Sequence, residues 1–245
     1  MGRVVTDPPT TRPLALVTGA GREREIGTAV CRALAASGHE VAFTVPPGGD
    51  GSALASELGG RAIEADLAEP GAAAAVLDAA GRPVTVLVNN AAHSVNAGFE
   101  DVDAATLDAH YAVNVRTPVL LSCELARRHE AGAPGRIVCM ISGQYLGPMP
   151  EELPYATTKG ALETFVRQLA PAVMGRGITI NAVNPGVTDT GWIGDELRPR
   201  LLERMPAGRL GEAEDAARLI AWLCSPDAAW VTGQVIGSEG GFLRA

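Results

Sequence analysis

Tyr155 and Lys159 lie four residues apart in a helical pattern, and this pair most directly suggests chemistry. Positions i and i+4 of a helix share one face. A phenol titrates near pH 10, and a nearby ammonium favours the phenolate, so we expect Lys159 to lower the pKa of Tyr155 into a range useful for acid/base work (about 10 is the unperturbed value). Lys159 is also the one lysine among 20 basic residues. A GC-rich genome would explain the arginines, but it does not explain this exception, which suits a site that needs a compact ammonium.

A serine precedes this pair by thirteen residues. Ser142 directly follows an apolar run, 136–141, that is predicted to be a strand. Open α/β sheets bind ligands at the carboxyl ends of their parallel strands. The Ser142 hydroxyl could therefore hold a substrate carbonyl beside Tyr155. Tyr145 is a competing phenol close to Ser142, but it lacks a lysine at i+4, and we assign it to the substrate pocket.

A glycine-rich turn, residues 18–27 (TGAGREREIG), connects the first predicted strand to a helical pattern. Such a turn lets the backbone approach a pyrophosphate at the amino end of the helix. It predicts a dinucleotide site. Glu23 and Glu25 are unfavourable beside a pyrophosphate unless they face solvent or pair with Arg22 and Arg24.

The end of the second predicted strand bears on the choice of dinucleotide. An NAD site usually places an acid there to bind the ribose hydroxyls, but this position is Val45. Arg22, with Arg24 as a second candidate, could hold a 2′-phosphate, although both could instead be solvated surface charges. NADP(H) is therefore favoured, and Asp50 in the following loop leaves NAD(H) possible.

Strand and helix signals alternate along the whole chain. Seven apolar runs predict strands at 14–18, 40–45, 61–65, 84–88, 136–141, 178–183 and 234–237, and helical patterns lie at 26–37, 53–58, 72–80, 104–130, 154–174 and 212–224. The runs lack polar alternation, which is typical of strands covered on both faces. We predict one doubly wound α/β domain of Rossmann type, with a seven-stranded parallel sheet, over 13–245. Residues 1–12 are predicted to be a flexible tail, and 188–211 a substrate lid with a helical pattern near 195–204.

Composition narrows the function classes further. The net charge of −8 argues against nucleic-acid binding, and no uncharged apolar stretch reaches the roughly 18 residues of a membrane span. Hydrophobic residues make up 47%, enough for a core without disulfides. The four cysteines show no paired spacing, so we expect buried free thiols, a reducing cytoplasm and no metal site.

These motifs together resemble the short-chain dehydrogenase/reductase family. The set Ser142, Tyr155 and Lys159 is similar to its catalytic triad, and Asn114 matches its helix asparagine, which holds a water in a proton relay to the lysine. The loop at 18–27 is similar to T-G-x-x-x-G-x-G, but with two residues inserted and with glutamate at the middle glycine.

Further motifs extend the resemblance over about residues 14 to 243. Residues 89–92 (NNAA) resemble N-N-A-G, residues 184–190 contain a version of P-G-x-x-x-T, and residues 232–234 and 239–241 are similar to the final strand and its G-G end. The predicted cofactor contacts are Gly19, Arg22, Arg24, Ile26, Gly27, Asp66, Leu67, Asn90, Ala91, Pro185, Gly186, Thr188 and Thr190.

The resemblance implies hydride transfer between a nicotinamide and a ketone or secondary alcohol, with Tyr155 as proton donor and Ser142 on the carbonyl oxygen. Predicted substrate contacts are Gln144, Tyr145, Met149 and Trp192. Their character suggests a lipophilic or acyl-type substrate, although the same residues could simply form the core of the lid. The segments 141–144 and 238–242 look most similar to 3-oxoacyl-carrier-protein reductases.

Other functions remain open at this point. The same fold could serve as a catalytically idle cofactor-binding sensor or scaffold, which the glutamate in the glycine loop suggests, or as a dehydrogenase of a secondary-metabolite alcohol. An arginine patch (Arg127, Arg128, Arg136) could dock an acidic carrier protein, but a solvated face is the simpler interpretation. The family also implies a homodimer or homotetramer that associates through the helices at 104–130 and 154–174 and the last strand.

Overall fold

The computed structural model describes residues 12–130 and 132–242, so the tail predicted at 1–12 lies almost entirely outside the described residues. Seven strands form one parallel sheet: β1 (Leu14–Val17), β2 (Glu40–Val45), β3 (Arg61–Glu64), β4 (Val84–Asn89), β5 (Gly135–Met140), β6 (Ile178–Asn184) and β7 (Val235–Gly237). Their order is β3-β2-β1-β4-β5-β6-β7. The order reverses between β1 and β4, where doubly wound sheets open a crevice for ligands. The predicted fold class is confirmed.

Each strand supplies both faces of the sheet with apolar side chains. In β1, Leu14 and Leu16 belong to one buried cluster, and Ala15 and Val17 belong to the other. This two-sided burial explains why the strand runs lack polar alternation. The helices that cover the sheet are α1 (Ile26–Ala36), α2 (Ser52–Leu58), α3 (Ala72–Ala79), α4 (Ala104–Tyr111), α5 (Thr117–Arg128), α6 (Leu153–Val173), α7 (Leu197–Leu202) and α8 (Ala213–Leu223).

The helical pattern at 104–130 is two helices and not one. A π-helical turn, Ala112–Arg116, separates α4 from α5, and the N–H of Thr117 donates to the carbonyl of Ala112, five residues earlier. Pro118 follows immediately and has no backbone N–H, so an unbroken α-helical ladder is impossible here. The apolar periodicity continues through this turn, which is why the pattern reads as one helix.

The segment 188–211, called the lid below, has its own small core. Ile193, Met205 and Leu210 are buried together, with Phe242 packed against them. The helix in this segment, α7, is shorter than the pattern near 195–204 suggests. An isolated bridge joins Thr188 to Gly211, so the two ends of the lid meet beside the sheet.

The four cysteines are free thiols, as predicted. Cys31, Cys139 and Cys224 are buried, and burial raises the pKa of each thiol. Cys123 is only half-buried on α5, so the expectation of burial is wrong there. Within 12–130 and 132–242, no three His, Cys, Asp or Glu side chains gather as a metal would require, and no helix is long and apolar enough to cross a bilayer.

Candidate active site

A cleft of about 520 Å³ opens at the carboxyl ends of the central strands, beside the point where the strand order reverses. Of the predicted cofactor contacts, eight line it: Gly19, Arg22, Ile26, Asp66, Leu67, Asn90, Ala91 and Thr190. Val45 and Asp50 also line it, at the end of β2 and in the loop beyond. Arg24, Gly27, Pro185, Gly186 and Thr188 are outside this lining.

Two glycines of the turn at 18–27 are required by close contacts. Gly19 has a φ of 72°, and a Cβ on it would lie 2.8 Å from the Cα of Ala91. A Cβ on Gly27 would lie 2.0 Å from the carbonyl oxygen of Gly19. Glu25 instead has extended backbone (φ −80°, ψ 145°) at the start of α1, a conformation open to any residue. The missing middle glycine therefore costs no backbone strain.

The charges of this turn are paired among themselves and with neighbours. Glu25 lies 3.5 Å from Arg22, as expected, but Glu23 pairs with Arg32 at 2.9 Å and not with Arg24. Arg24 reaches across to Asp189 in the lid, at 3.2 Å. The two glutamates therefore do not leave uncompensated negative charge at the mouth of the cleft.

Thr18 is a structural residue that the motif contains but that sequence reasoning did not single out. Its hydroxyl accepts hydrogen bonds from the backbone N–H groups of Asn90 and Ala91, at 3.0 and 3.1 Å. The Asn90 side chain donates back to the carbonyls of Thr18 and Gly19, at 3.1 and 2.7 Å. These bonds hold the NNAA turn against the glycine turn. The two turns form two walls of the cleft.

Lys159 is 2% exposed and lies beneath the end of β5. Its Nζ donates a hydrogen bond to the carbonyl of Met140 at 2.8 Å. Burial lowers the pKa of Lys159 from 10.5 to about 8, because the ammonium loses its hydration. A compact ammonium can occupy this space, whereas a planar guanidinium has a different shape and more donors to satisfy.

Tyr155 lies one turn before Lys159 on α6, and Ser142, just beyond the end of β5, is near enough to affect its hydroxyl. Burial raises the pKa of Tyr155 to about 12, the carboxylate of Glu152 adds to the rise, and the Ser142 side chain opposes it. The Nζ of Lys159 lies over the tyrosine ring, 5.3 Å from its centroid. The expected lowering of this pKa is therefore wrong for this structure, because burial raises the pKa and the Ser142 side chain is the group that opposes the rise.

Asn114 is fully buried in the π-helical turn. Its side chain accepts from the N–H of His93 at 2.7 Å and donates to the carbonyl of His93 at 2.8 Å and to Thr158 Oγ1 at 3.1 Å. The main-chain carbonyl of Asn114 has no α-helical donor, because Pro118, four residues later, has no N–H. Pro118 is a sequence signal for this feature, and the prediction missed it.

Residues 19–243 match a family model described as enoyl-(acyl carrier protein) reductase. The chain belongs to the short-chain dehydrogenase/reductase family. It is 46% identical over 246 residues to the uncharacterized oxidoreductase YjdA of Bacillus subtilis, covering 94% of this chain and 97% of that one. It is 35% identical over 236 residues to L-xylulose reductase of Bos taurus, covering 94% and 96%. The crystal structure of BdcA in complex with NADPH superposes with a TM-score of 0.85 at 32% identity, over 94% of each chain.

The resemblance found in the sequence is thereby confirmed, and the chain is an oxidoreductase of the short-chain dehydrogenase/reductase family. One side chain that the motifs did not single out, His93, lines the cleft directly after the NNAA turn. Its ring meets that of His110 edge to face at 4.6 Å, and burial, with His110 adding to the effect, lowers the pKa of His93. A neutral imidazole is therefore expected at this wall at neutral pH.

The predicted substrate contacts of this family member occupy two regions. Tyr145 and Met149 follow Ser142, and Tyr145 is exposed. Trp192 is 60% exposed at the start of the lid, and its Nε1 donates to the carbonyl of Thr188 at 2.9 Å. Gln144 has both ends of its amide hydrogen-bonded within the protein, to the backbone of Ser142 and to the side chain of Glu163.

Three predicted cofactor contacts lie at the carboxyl end of β6, where the lid begins. Gly186 has a φ of 67°, and its N–H donates to Asn184 Oδ1 at 3.0 Å. The hydroxyl of Thr188 donates to the carbonyl of Pro185, also at 3.0 Å. These bonds fold the strand end back upon itself just before Thr190, the lid residue that lines the cleft.

Proposed function

We propose that the protein is an NADP(H)-dependent carbonyl reductase in which Tyr155 exchanges the proton with a ketone or secondary alcohol. The observation that carries this proposal is the grouping of Tyr155, Ser142 and Lys159 at the carboxyl edge of the sheet, with the Nζ of Lys159 5.3 Å from the centroid of the tyrosine ring. A proton donor and a carbonyl-binding hydroxyl at this edge have no evident structural purpose, whereas carbonyl reduction needs both.

The cleft fits a dinucleotide with a 2′-phosphate. Gly19 and Gly27 let the turn close against Ala91 and against its own backbone, which places Gly19 on the wall of the cleft. Val45 places no acid at the end of β2, and the Asp50 carboxylate accepts from the N–H of Ser52 at 2.8 Å. Arg22 is 84% exposed at the rim and can turn toward a phosphate. The NADPH-bound structure of BdcA supports the same choice.

Each residue of the candidate site then has its own role in the proposed reaction. When bound, the nicotinamide supplies the hydride to the carbonyl carbon or takes it back from the alcohol. Ser142 donates to the carbonyl oxygen and orients it, and Tyr155 transfers its hydroxyl proton to that oxygen as the alcohol forms. Lys159 stands behind Tyr155 to stabilise the resulting phenolate. The main-chain carbonyl of Asn114, which Pro118 leaves without an α-helical donor, can accept from a water that resupplies the proton.

The raised pKa of Tyr155 suits the reducing direction. With a pKa of about 12, the phenol carries its proton at neutral pH and is ready to donate it. Oxidation of an alcohol requires the phenolate as base and is therefore expected to speed up with rising pH. We infer that reduction of a lipophilic or acyl-type ketone is the physiological reaction. Oxidation of a secondary-metabolite alcohol is the alternative.

We also propose that the protein works as a homodimer or homotetramer, in keeping with the family resemblance. Exposed apolar side chains support this: Leu107, Tyr111 and Leu120 lie on α4 and α5, and Trp230, which is 91% exposed, precedes β7. The free thiols suit a reducing cytoplasm.

The test uses the purified full chain. Loss of nicotinamide absorbance is followed with NADPH and with NADH, against aromatic ketones, aliphatic ketones, a ketose and a 3-oxoacyl thioester. We expect turnover with NADPH, and Arg22→Ala should erode the preference for NADPH over NADH. Tyr155→Phe should bind NADPH as the wild type does but turn over no ketone, and Lys159→Arg should be severely slowed. Tight NADPH binding with no turnover across the panel would favour the sensor, and an active Tyr155→Phe would exclude the mechanism.

A further inference from the structure

We propose that Gln144 is a positioning residue, which holds Ser142 in register with Tyr155 and Lys159 by tying the turn after β5 to helix α6. This inference rests on the proposed function, because it assigns a role within that reaction. It also replaces the expectation that Gln144 contacts substrate. The two roles differ in what the side chain touches, and the structure distinguishes them.

Both the oxygen and the nitrogen of the Gln144 side-chain amide form hydrogen bonds within the protein. Its Oε1 accepts from the backbone N–H of Ser142 at 3.1 Å, and its Nε2 donates to Glu163 Oε2 at 3.2 Å. A backbone N–H can only donate and a carboxylate can only accept, so these partners leave one orientation for the amide. The side chain is therefore a bridge of defined direction between the serine and α6.

Ser142 needs such a partner because it is the first residue beyond the sheet. The last sheet-like bond of this strand runs from the N–H of Ile141 to the carbonyl of Val183, at 2.9 Å. The next N–H, that of Ser142, belongs to a short 3₁₀ turn, Gly143–Tyr145, and Gln144 in that turn supplies its acceptor. A buried or half-buried N–H without an acceptor would favour a different backbone path.

Glu163, at the other end of this hydrogen-bonded bridge, is held in place by a neighbouring arginine. Glu163 lies one turn after Lys159 on α6, and its Oε1 accepts from Arg167 Nη2 at 3.1 Å. The Glu163 side chain is 20% exposed, and its bond with Gln144 is partly buried. A hydrogen bond to a carboxylate is stronger than one between neutral groups. Gln144 therefore couples the serine to the same helix that carries the tyrosine and the lysine.

The consequence for the reaction follows from distance. Ser142 and Tyr155 must meet one carbonyl oxygen together, and a misplacement of about 1 Å in such a group can cost about 100-fold in rate. Without Gln144, the Ser142 hydroxyl is expected to sample positions away from Tyr155. The loss should appear in kcat, while NADPH affinity, which depends on the other side of the cleft, should stay unchanged.

The first experiment is a double-mutant cycle of Gln144→Ala and Ser142→Ala. We expect Gln144→Ala alone to lower kcat about 10- to 100-fold with KM and NADPH affinity within about two-fold. In the Ser142→Ala background, Gln144→Ala should cost less than about two-fold, because it acts only through the serine. Equal losses in both backgrounds, or a loss that falls mainly on KM, would overturn the inference. Gln168→Ala, an exposed glutamine on the same helix, is the matched control.

The second experiment exchanges donor and acceptor. Gln144→Glu keeps an acceptor for the N–H of Ser142 but directs a carboxylate at Glu163, so kcat should fall. Combining it with Glu163→Gln restores one donor and one acceptor at that contact, and kcat should recover to within about three-fold of the wild type. A substrate-contacting Gln144 would not be rescued by a change at Glu163. Absence of rescue would therefore count against the bridge.

A third measurement does not depend on turnover. Amide hydrogen exchange should quicken at 141–145 in Gln144→Ala and stay as in the wild type in Gln168→Ala. Unchanged exchange would overturn the inference even if no substrate were known. The two failures can be told apart by the turnover of the variants. If the proposed function is wrong, Ser142→Ala turns over substrate as the wild type does. If only this inference is wrong, Ser142→Ala is slow and Gln144→Ala is as active as the wild type.

Discussion

Removal of the charge at Lys159 is expected to stabilise the protein while abolishing its activity. The side chain is 2% exposed, and its pKa falls from 10.5 to about 8. That fall corresponds to at most about 3 kcal/mol by which folding disfavours the ammonium. Lys159→Met removes this penalty but leaves the carbonyl of Met140 without its donor, at a cost of about 1 to 3 kcal/mol. At neutral pH the variant should therefore be more stable by up to about 2 kcal/mol.

The pH dependence of this stability difference between Lys159→Met and the wild type tests the buried charge more directly than its size does. Below about pH 8 both the folded and the unfolded wild type carry the charge, so the whole penalty applies. Between about 8 and 10.5 the folded protein is neutral at Lys159 while the unfolded chain still binds the proton, so wild-type stability rises with pH. The advantage of Lys159→Met should therefore shrink by about 2 kcal/mol between about pH 7 and pH 9.5.

Urea unfolding, followed by tryptophan fluorescence at matched protein concentration and without cofactor, measures both quantities. Lys159→Gln retains a donor for the Met140 carbonyl and should show the same pH-dependent change with a larger advantage at neutral pH. A stability difference that stays constant from pH 7 to pH 9.5 would refute the reasoning, because it would mean that the lysine is not a buried charge with a lowered pKa.

Three further predictions concern residues of the glycine turn and of the lid beside the cleft. Arg24→Ala, which removes the exposed ion pair with Asp189, should speed NADPH dissociation in stopped-flow fluorescence by about 1.4- to 5-fold, and Arg200→Ala on the same lid should not. Raising the salt concentration to about 0.5 M should speed dissociation from the wild type but leave Arg24→Ala nearly unaffected, and equal salt effects would contradict this. Gly27→Ala places a Cβ 2.0 Å from the carbonyl oxygen of Gly19, so we expect a loss of about 1 to 3 kcal/mol in thermal unfolding and weakened NADPH binding; normal NADPH binding would show that the turn can relax.

Local pattern was sufficient for the fold and for choosing the candidate catalytic residues. The strands are short runs without alternation because β1 and its neighbours are buried on both faces, and that burial is visible in the sequence. Ser142 was found because it follows such a run, and Tyr155 with Lys159 because helical spacing places them on one face. These features depend on neighbours within a few residues along the chain.

Partnerships between distant residues were beyond the same reasoning. Arg24 meets Asp189 and Gln144 meets Glu163 only because the fold brings separate elements together, and no spacing rule encodes either contact. The pKa of Tyr155 was misjudged for the same reason, since burial depends on everything packed around the ring. Pro118 is the opposite case. Its missing N–H is a local signal, but the continuing apolar periodicity hid it.

The π-helical turn at Ala112–Arg116 also restricts how this chain can be recombined with its relatives. Each residue of a helix accounts for about 100° of rotation and 1.5 Å of rise. Deleting one residue in this turn would rotate α5 by about 100° relative to α4 and carry Leu121 and Leu125 away from the sheet they pack against. A chimera should therefore exchange 104–128 as one block. A junction inside that block would have to keep the orientation of both α4 and α5 toward the residues that they pack against.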